Sequence, residues 1–239
     1  MYCVIANFGD DSIALIQKLF ESKFQKVVIL SVNTGWESCS WGSRVSAAHA
    51  WIKSLKFSHF HLNAENDFPT IVKARHHFPS EEFQWCSTFL KGLTILNWLE
   101  ENDENFMFKI LLPHRRDMTI LQEHLQTVDK TSKFYDDRPV FYPLFEVSKK
   151  DRDALITRTP FKLPLNHRSL ECQPCIHFIK NDKKILHQKD YDRLLKLETD
   201  VGQKMFDVSF VKYIDSLKDN ANYYDDFSKT CGWHYACGL

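Results

Sequence analysis

Cys172 and Cys175 stand three residues apart with Pro174 between them, and His167 and Arg168 come shortly before. Two thiols at that spacing share one turn and can face a single ion. The Arg168 guanidinium is a planar donor fork that suits phosphate or sulfate. A thiol pair beside an oxyanion binder points to nucleotide or sulfur chemistry.

Three other short segments carry residue types of the same kind. Asn7-Phe8-Gly9-Asp10-Asp11-Ser12 lies between an apolar run and a helical pattern. Backbone N–H groups at such a helix start, with the Ser12 hydroxyl, make a phosphate cradle, while Asp11 or Ser12 would serve equally as a plain helix cap. Asn33-Thr34-Gly35-Trp36-Glu37 offers short polar groups to an adenine or ribose edge, and Gly35 permits close backbone approach. A turn around a core Trp36 fits the same residues. In His114-Arg115-Arg116-Asp117 two consecutive arginines follow a strand closed by Pro113. Cations at a helix start oppose its dipole, which favours phosphate binding over plain solvation.

The elements that must position these segments alternate. Residues 2–6, 27–32, 57–62, 106–112 and 140–147 read as strands, and residues 12–20, 43–55, 86–99, 118–128 and 148 to about 158 as helices. Ser148 reads as an N-cap with Asp151 three residues on. That order predicts an α/β fold, an open, mostly parallel twisted sheet with helices on both faces. In such a sheet ligands bind beyond the carboxyl ends of the strands, where the turns above fall. After residue 181 only helical patterns remain, at 191–197 and 205–217, so residues 1–180 are expected to form the α/β domain and 181–239 a helical extension with a cysteine-bearing tail.

The totals set outer bounds. The 239 residues are 44% hydrophobic and 26% charged, with a formal net charge of zero. That is the make-up of a globular protein, with no whole-molecule attraction to nucleic acid or anionic membrane. Nineteen phenylalanines and seven glycines predict a large aromatic core with few flexible linkers. The N-terminus reads as a strand rather than a signal peptide, and no window has the length of a membrane span. Seven cysteines, an odd count in a chain read as signal-less, favour reduced thiols or metal ligands, so a cytoplasmic location is expected.

Taken together, the segments resemble the phosphoadenosine-phosphosulfate reductase family of the PP-loop, or adenine nucleotide alpha hydrolase, superfamily. The superfamily's Ser-Gly-Gly-x-Asp-Ser loop is matched by Asn7 to Ser12, and its Asp-Thr-Gly by Asn33-Thr34-Gly35. A cysteine before a Leu-Lys helix is matched by Cys86 to Lys91, the Arg-Arg loop by Arg115 and Arg116, and a Pro-Leu segment by Pro143 to Asp151. The family's Cys-x-x-Cys is matched by Cys172 and Cys175. Asn7 and Phe8 replace the usual serine and first glycine, which leaves the loop less free to wrap a pyrophosphate. Trp85 stands where cluster-bearing reductases have a first cysteine. The tail Thr230-Cys231-Gly232 is similar to the reductases' Cys-Gly-Leu-His, with Thr230 in place of the usual glutamate.

The resemblance implies a fold of the HUP type and an adenine nucleotide, ATP or a relative, cleaved at the α-phosphate to adenylate an acceptor, a small molecule or a tRNA. Asn7, Phe8, Gly9, Ser12, Asn33, Thr34, Gly35, Lys91 and Arg168 would bind the nucleotide. Asp10 or Asp11 would bring Mg²⁺, and Arg115 and Arg116 would neutralise phosphoryl charge. Cys86, Cys172 and Cys175, with Cys237 or another donor, would hold zinc or an iron–sulfur cluster. Alternatives implied by the same resemblance are a thiol- or Fe–S-dependent sulfonucleotide reductase or sulfur transferase, with Cys231 as nucleophile, and a non-catalytic nucleotide-binding protein. A homodimer is compatible with all three.

Overall fold

The computed structural model describes residues 1–80, 83–116, 127–165, 167–178, 180–206, 208–216 and Tyr235. The apolar runs near the N-terminus become β1 (Tyr2–Ile5) and β2 (Val27–Asn33), paired in parallel with Tyr2 opposite Val27. Between and after them come α1 (Asp10–Glu21), α2 (Trp41–Ser54), β3 (Ser58–Asn63) and α3 (Phe68–Arg75). A π-helical turn at Ser87–Gly92 runs into α4 (Leu93–Asn102), followed by β4 (Lys109–Leu111), β5 (Val128–Ser132) and β6 (Arg138–Phe141). The chain continues through α5 (Lys149–Ile156), α6 (Gln188–Val201) and α7 (Phe210–Ser216).

The strand order is β3-β2-β1-β4-β6-β5, with every pair parallel except β5–β6. The chain leaves β1 for β2 on one side and reaches β4 on the other, so the order reverses between β1 and β4. A crevice at the carboxyl ends opens at such a point. The expected open, mostly parallel sheet is what forms.

Side-chain alternation along the strands assigns the two faces. Val4, Ala6, Val27 and Ile29 join α1, α2 and α5 in one apolar cluster. Cys3, Ile5, Leu30 and Val32 join α4 in a second. A third cluster lies off the sheet, where Phe68 and Val72 of α3 meet Trp36, Trp85, Leu90 and α6. Residues on both sides of position 180, such as Trp36 and Leu197, share that cluster. No helix among the described residues is long and apolar enough to cross a membrane.

Departures from the sequence-based expectations have local causes. The strand expected over 106–112 begins only at Lys109, because the Asp103 carboxylate takes the Met107 N–H at 2.6 Å and the Phe108 N–H at 3.2 Å. Those donors are then lost to a ladder. The strand expected over 140–147 runs instead from Arg138 to Phe141 and ends before Pro143, which has no N–H to give. Most of the helix expected over 118–128 lies outside the described residues, but Val128 opens the antiparallel edge strand β5. The helix expected from 205 begins at Phe210. Ser148 caps α5 as expected, its Oγ accepting the Asp151 N–H at 3.1 Å and donating to Asp151 Oδ2 at 2.6 Å.

Candidate functional site

Because β1, β2 and β4 are parallel, the loops after them emerge on one rim. The loop after β1 is closed upon Asn7. Its Oδ1 accepts the Gly9 N–H at 2.9 Å and the Ser12 hydroxyl at 2.8 Å, and Ser12 Oγ accepts the Asn7 N–H at 3.2 Å. The donors expected to cradle a phosphate are thus satisfied by a side chain of the same loop. Phe8, where the resembling loops carry glycine, adopts φ +60°. That left-handed backbone costs a bulky residue about 1–2 kcal/mol, offset by burial of its ring, which meets His59 edge-on at 5.2 Å.

Across the crevice, Arg115 Nε donates to Asp11 Oδ1 at 2.9 Å, and Arg152 Nη1 of α5 approaches the same oxygen at 3.4 Å and Asp10 Oδ2 at 3.6 Å. Asp10 Oδ1 accepts the Leu165 N–H at 2.9 Å. Burial pushes the Asp10 carboxyl up to about 6, against the Leu165 N–H and Arg152, which favour its ionised form. Two acids and two guanidiniums therefore balance one another at the start of α1. These carboxylates face cations rather than an open coordination site, so they do not fit a Mg²⁺ ion as arranged.

The segment after α5 crosses the rim as a strap. Glu171 receives Lys91 Nζ at 3.0 Å on each carboxylate oxygen and Asn7 Nδ2 at 3.4 Å on Oε1. Thr34 Oγ1 donates to the Glu171 carbonyl at 2.8 Å, the Ser38 N–H to Leu170 and the Gln173 N–H to Trp36. Lys91 and Glu171 are almost wholly buried, so the ion pair between the π-helical turn and the strap is desolvated. Glu37, on the same rim, has its carboxyl pushed up to about 7 by burial and then by the Glu171 charge, with Arg193 opposing.

The second turn forms as a tight turn around a core tryptophan. Gly35 takes φ +68° and a Cβ there would lie 2.3 Å from Asp67 Cβ, while Trp36 is buried in the third cluster. Asn33 Oδ1 accepts the Gly35 N–H at 2.9 Å.

The structure brings Asn7, Phe8, Gly9, Asp10, Asp11, Ser12, Thr34, Lys91 and Arg115 to one place through these contacts. Arg116 turns away, pairs with Glu146 on the surface and lies 4.8 Å over the Phe145 ring. Arg168 donates from Nη1 to the His177 carbonyl at 3.0 Å and so braces its own loop. Among the described residues the expected ligands Cys86, Cys172 and Cys175 are not arranged as a metal site. Cys86 is buried beside Trp85, Cys172 and Cys175 pack at the margin of that cluster, and Cys172 Sγ contacts Thr34 Oγ1 at 3.5 Å. Among the described residues no group of three or more His, Cys, Asp or Glu is arranged to hold a metal ion. These three cysteines alone do not make up a zinc or iron–sulfur ligand set. Cys231 and Cys237 lie outside the described residues.

Arg44, Arg152, Glu171 and Glu37 were not singled out as site residues from sequence. Arg44 sits in the first turn of α2 with no motif around it. Its Nε donates to the Phe8 carbonyl at 2.7 Å, its guanidinium lies 4.5 Å over the Phe161 ring, and its Nη2 is buried with no hydrogen-bond partner among the described residues. Burial lowers its pKa, with Asp10 acting the other way.

No protein-family model and no curated protein matches the sequence. Solved structures do match. A U34-tRNA thiolase from Methanococcus maripaludis, described with its 4Fe–4S cluster, aligns over 100% of this chain and 80% of its own, with TM-score 0.50 and 14% identity. A phosphoadenylyl-sulfate reductase from Candida auris, in a phosphate complex, aligns over 69% of this chain and 74% of its own, with TM-score 0.47 and 12% identity. A Candida glabrata FMN adenylyltransferase with FAD and inorganic pyrophosphate aligns over 65% of this chain, with TM-score 0.46 and 12% identity, and this chain spans 47% of its length. At these identities the likeness is one of fold alone, the adenine nucleotide alpha hydrolase-like α/β fold.

Proposed function

We propose that this chain binds an adenine nucleotide in the crevice between β1 and β4 and uses ATP, cleaved at the α-phosphate, to adenylate an acceptor. The observation that carries the reading is the Arg44 guanidinium. It is anchored on the Phe8 carbonyl of the loop after β1, and its buried Nη2 has no acceptor among the described residues. A buried guanidinium N–H without an acceptor is costly, and a phosphoryl oxygen is the acceptor its geometry suits.

The remaining rim cations already have carboxylate partners. Lys91 would exchange Glu171 for a phosphoryl oxygen, while Arg115 and Arg152 hold Asp10 and Asp11 at the start of α1, whose positive end favours anions. Thr34 and Gly35 stand one strand over, where a nucleoside edge would lie. The acceptor, a small molecule or a tRNA, belongs to this proposal, as does the division into residues 1–180 and 181–239.

A second reading, a nucleotide-binding protein without turnover, is favoured by the closed state of the Asn7 loop. Incubation with Mg·ATP and a panel of acceptors, read as pyrophosphate release, separates the two. Pyrophosphate formation that falls at least tenfold in Arg44→Gln supports adenylation. Saturable ATP binding without pyrophosphate supports the second reading, and neither binding nor release rejects both.

A further inference from the structure

The sheet face under α2 carries titratable groups that the nucleotide reading leaves unused. His59 and His61 of the edge strand β3 share a face with Ser31 of β2, since His61 is registered opposite Ser31. Ser31 Oγ lies 2.8 Å from His59 Nε2 and 2.8 Å from His61 Nδ1. His59 Nδ1 lies 3.1 Å from Nδ1 of His49, which is exposed on α2. At the other end His61 Nε2 stands 3.7 Å from Glu37 Oε1, an ion-pair distance longer than the roughly 3 Å of a hydrogen bond, and the relay requires that gap to close. We propose that Glu37, His61, Ser31, His59 and His49 form a proton relay between the rim and the solvent at the β3 edge.

The links cannot be set independently. A hydroxyl has one proton and a neutral imidazole one N–H, so the direction of one link dictates the next. With Glu37 ionised, His49 Nδ1–H donates to His59, His59 Nε2–H to Ser31, the Ser31 hydroxyl to His61 Nδ1, and His61 Nε2–H faces the carboxylate. With Glu37 protonated every link reverses. When Glu37 gives up its proton through the relay, that proton moves to His61 Nε2 and the His61 Nδ1 proton to Ser31. The Ser31 proton moves to His59 Nε2, the His59 Nδ1 proton to His49 Nδ1, and the His49 Nε2 proton to water. One proton leaves, each imidazole ends neutral, and Glu37 ends as the carboxylate.

The surroundings suit a relay better than a charged cluster. Burial, then His49 and His61, push the His59 pKa down to about 4, so the central imidazole stays neutral. Burial also lowers the pKa of His61. The Phe8 ring covers His59 edge-on, tying the relay to the loop after β1. The charges that act on Glu37 are Glu171, which favours the protonated form, and Arg193, which favours the ionised one. The purpose of the relay, removing a proton from an acceptor at the rim, rests on the proposed adenylation; the wiring does not.

Imidazole ¹⁵N shifts of the full-length labelled protein test it. The His59 tautomer is expected to change from Nδ1–H to Nε2–H as pH rises through the Glu37 titration near 7. In Glu37→Ala that change disappears. In Ser31→Ala His61 still follows Glu37 while His59 does not. A His59 tautomer that is the same across the titration in the wild type, or that still follows Glu37 in Ser31→Ala, overturns the relay. A tautomer change in a protein that binds no nucleotide leaves the relay standing and removes the adenylation reading; bound nucleotide with a fixed tautomer does the reverse.

Discussion

Asn7 fills the loop after β1 with its own side chain, and Glu171 fills the neighbouring space with a carboxylate held by Lys91. Breaking a buried ion pair on one side costs about 3–5 kcal/mol, because a charge is left unpaired, whereas replacing both partners by apolar groups is often neutral. Lys91→Met is therefore expected to lower the unfolding free energy by about that amount in urea denaturation, with Lys91→Met/Glu171→Met recovering most of it. Equal losses in the single and double variants would show that the pair does not hold the strap. Glu37 makes a signed pH prediction. Its carboxyl is raised in the folded state, so its stabilising share is full below the unfolded value of 4.5 and is lost as pH rises to about 7. The stability of the wild type relative to Glu37→Gln should fall across that window, and a flat difference would contradict the shift. The motif residues Asn7 to Ser12 were legible in the sequence because they are contiguous. Glu171, Arg152 and Arg44 were not, because their partners lie far along the chain and only the fold brings them together.

At the scale of elements, strands buried on both faces announced themselves by apolar runs, and β1 and β2 match residues 2–6 and 27–32 closely. The edge strand β5, with sequence Val-Asp-Lys-Thr-Ser, carries the polar exposed composition that edges use, and so left no periodic signal. α3 went unread although Asp67 accepts the Thr70 N–H at 2.9 Å and Pro69 stands in the first turn, a start signal outweighed by the short helix that follows. Gly35 joins these elements, since its left-handed backbone lets α3 begin against it. Gly35→Ala forces a Cβ into Asp67 at a positive φ, so a loss of more than about 1 kcal/mol is expected in thermal or urea unfolding. Wild-type stability in that variant would mean the turn is not as tight as described. Gly92 is a gentler case. A Cβ there would meet the Tyr235 ring at 2.6 Å, the far end of a movable side chain. Gly92→Ala should displace that ring from the Tyr135 ring it meets at 5.8 Å while leaving the sheet intact, which near-UV set against far-UV circular dichroism would read.

The whole molecule turns on the parallel order of β1, β2 and β4, which places loops distant in sequence on one rim. That arrangement was legible from the strand–helix alternation alone, and the fold likeness to the tRNA thiolase over the full chain agrees with it. The electrostatic state of the rim was not legible. Composition gives a net charge of zero without showing that the rim cations are neutralised by acids of the same chain. A closed, internally balanced rim has to exchange partners to admit a polyanion, and Arg44 Nη2, anchored beside the loop after β1, is a buried donor with no acceptor among the described residues to displace. Calorimetric titration of the intact protein with ATP tests this most directly. A single saturable site is expected, weakened at least tenfold, or about 1.4 kcal/mol, by Arg44→Gln in a protein that keeps its fold. No binding to the wild type, or the same affinity in the variant, would contradict a nucleotide site at this rim.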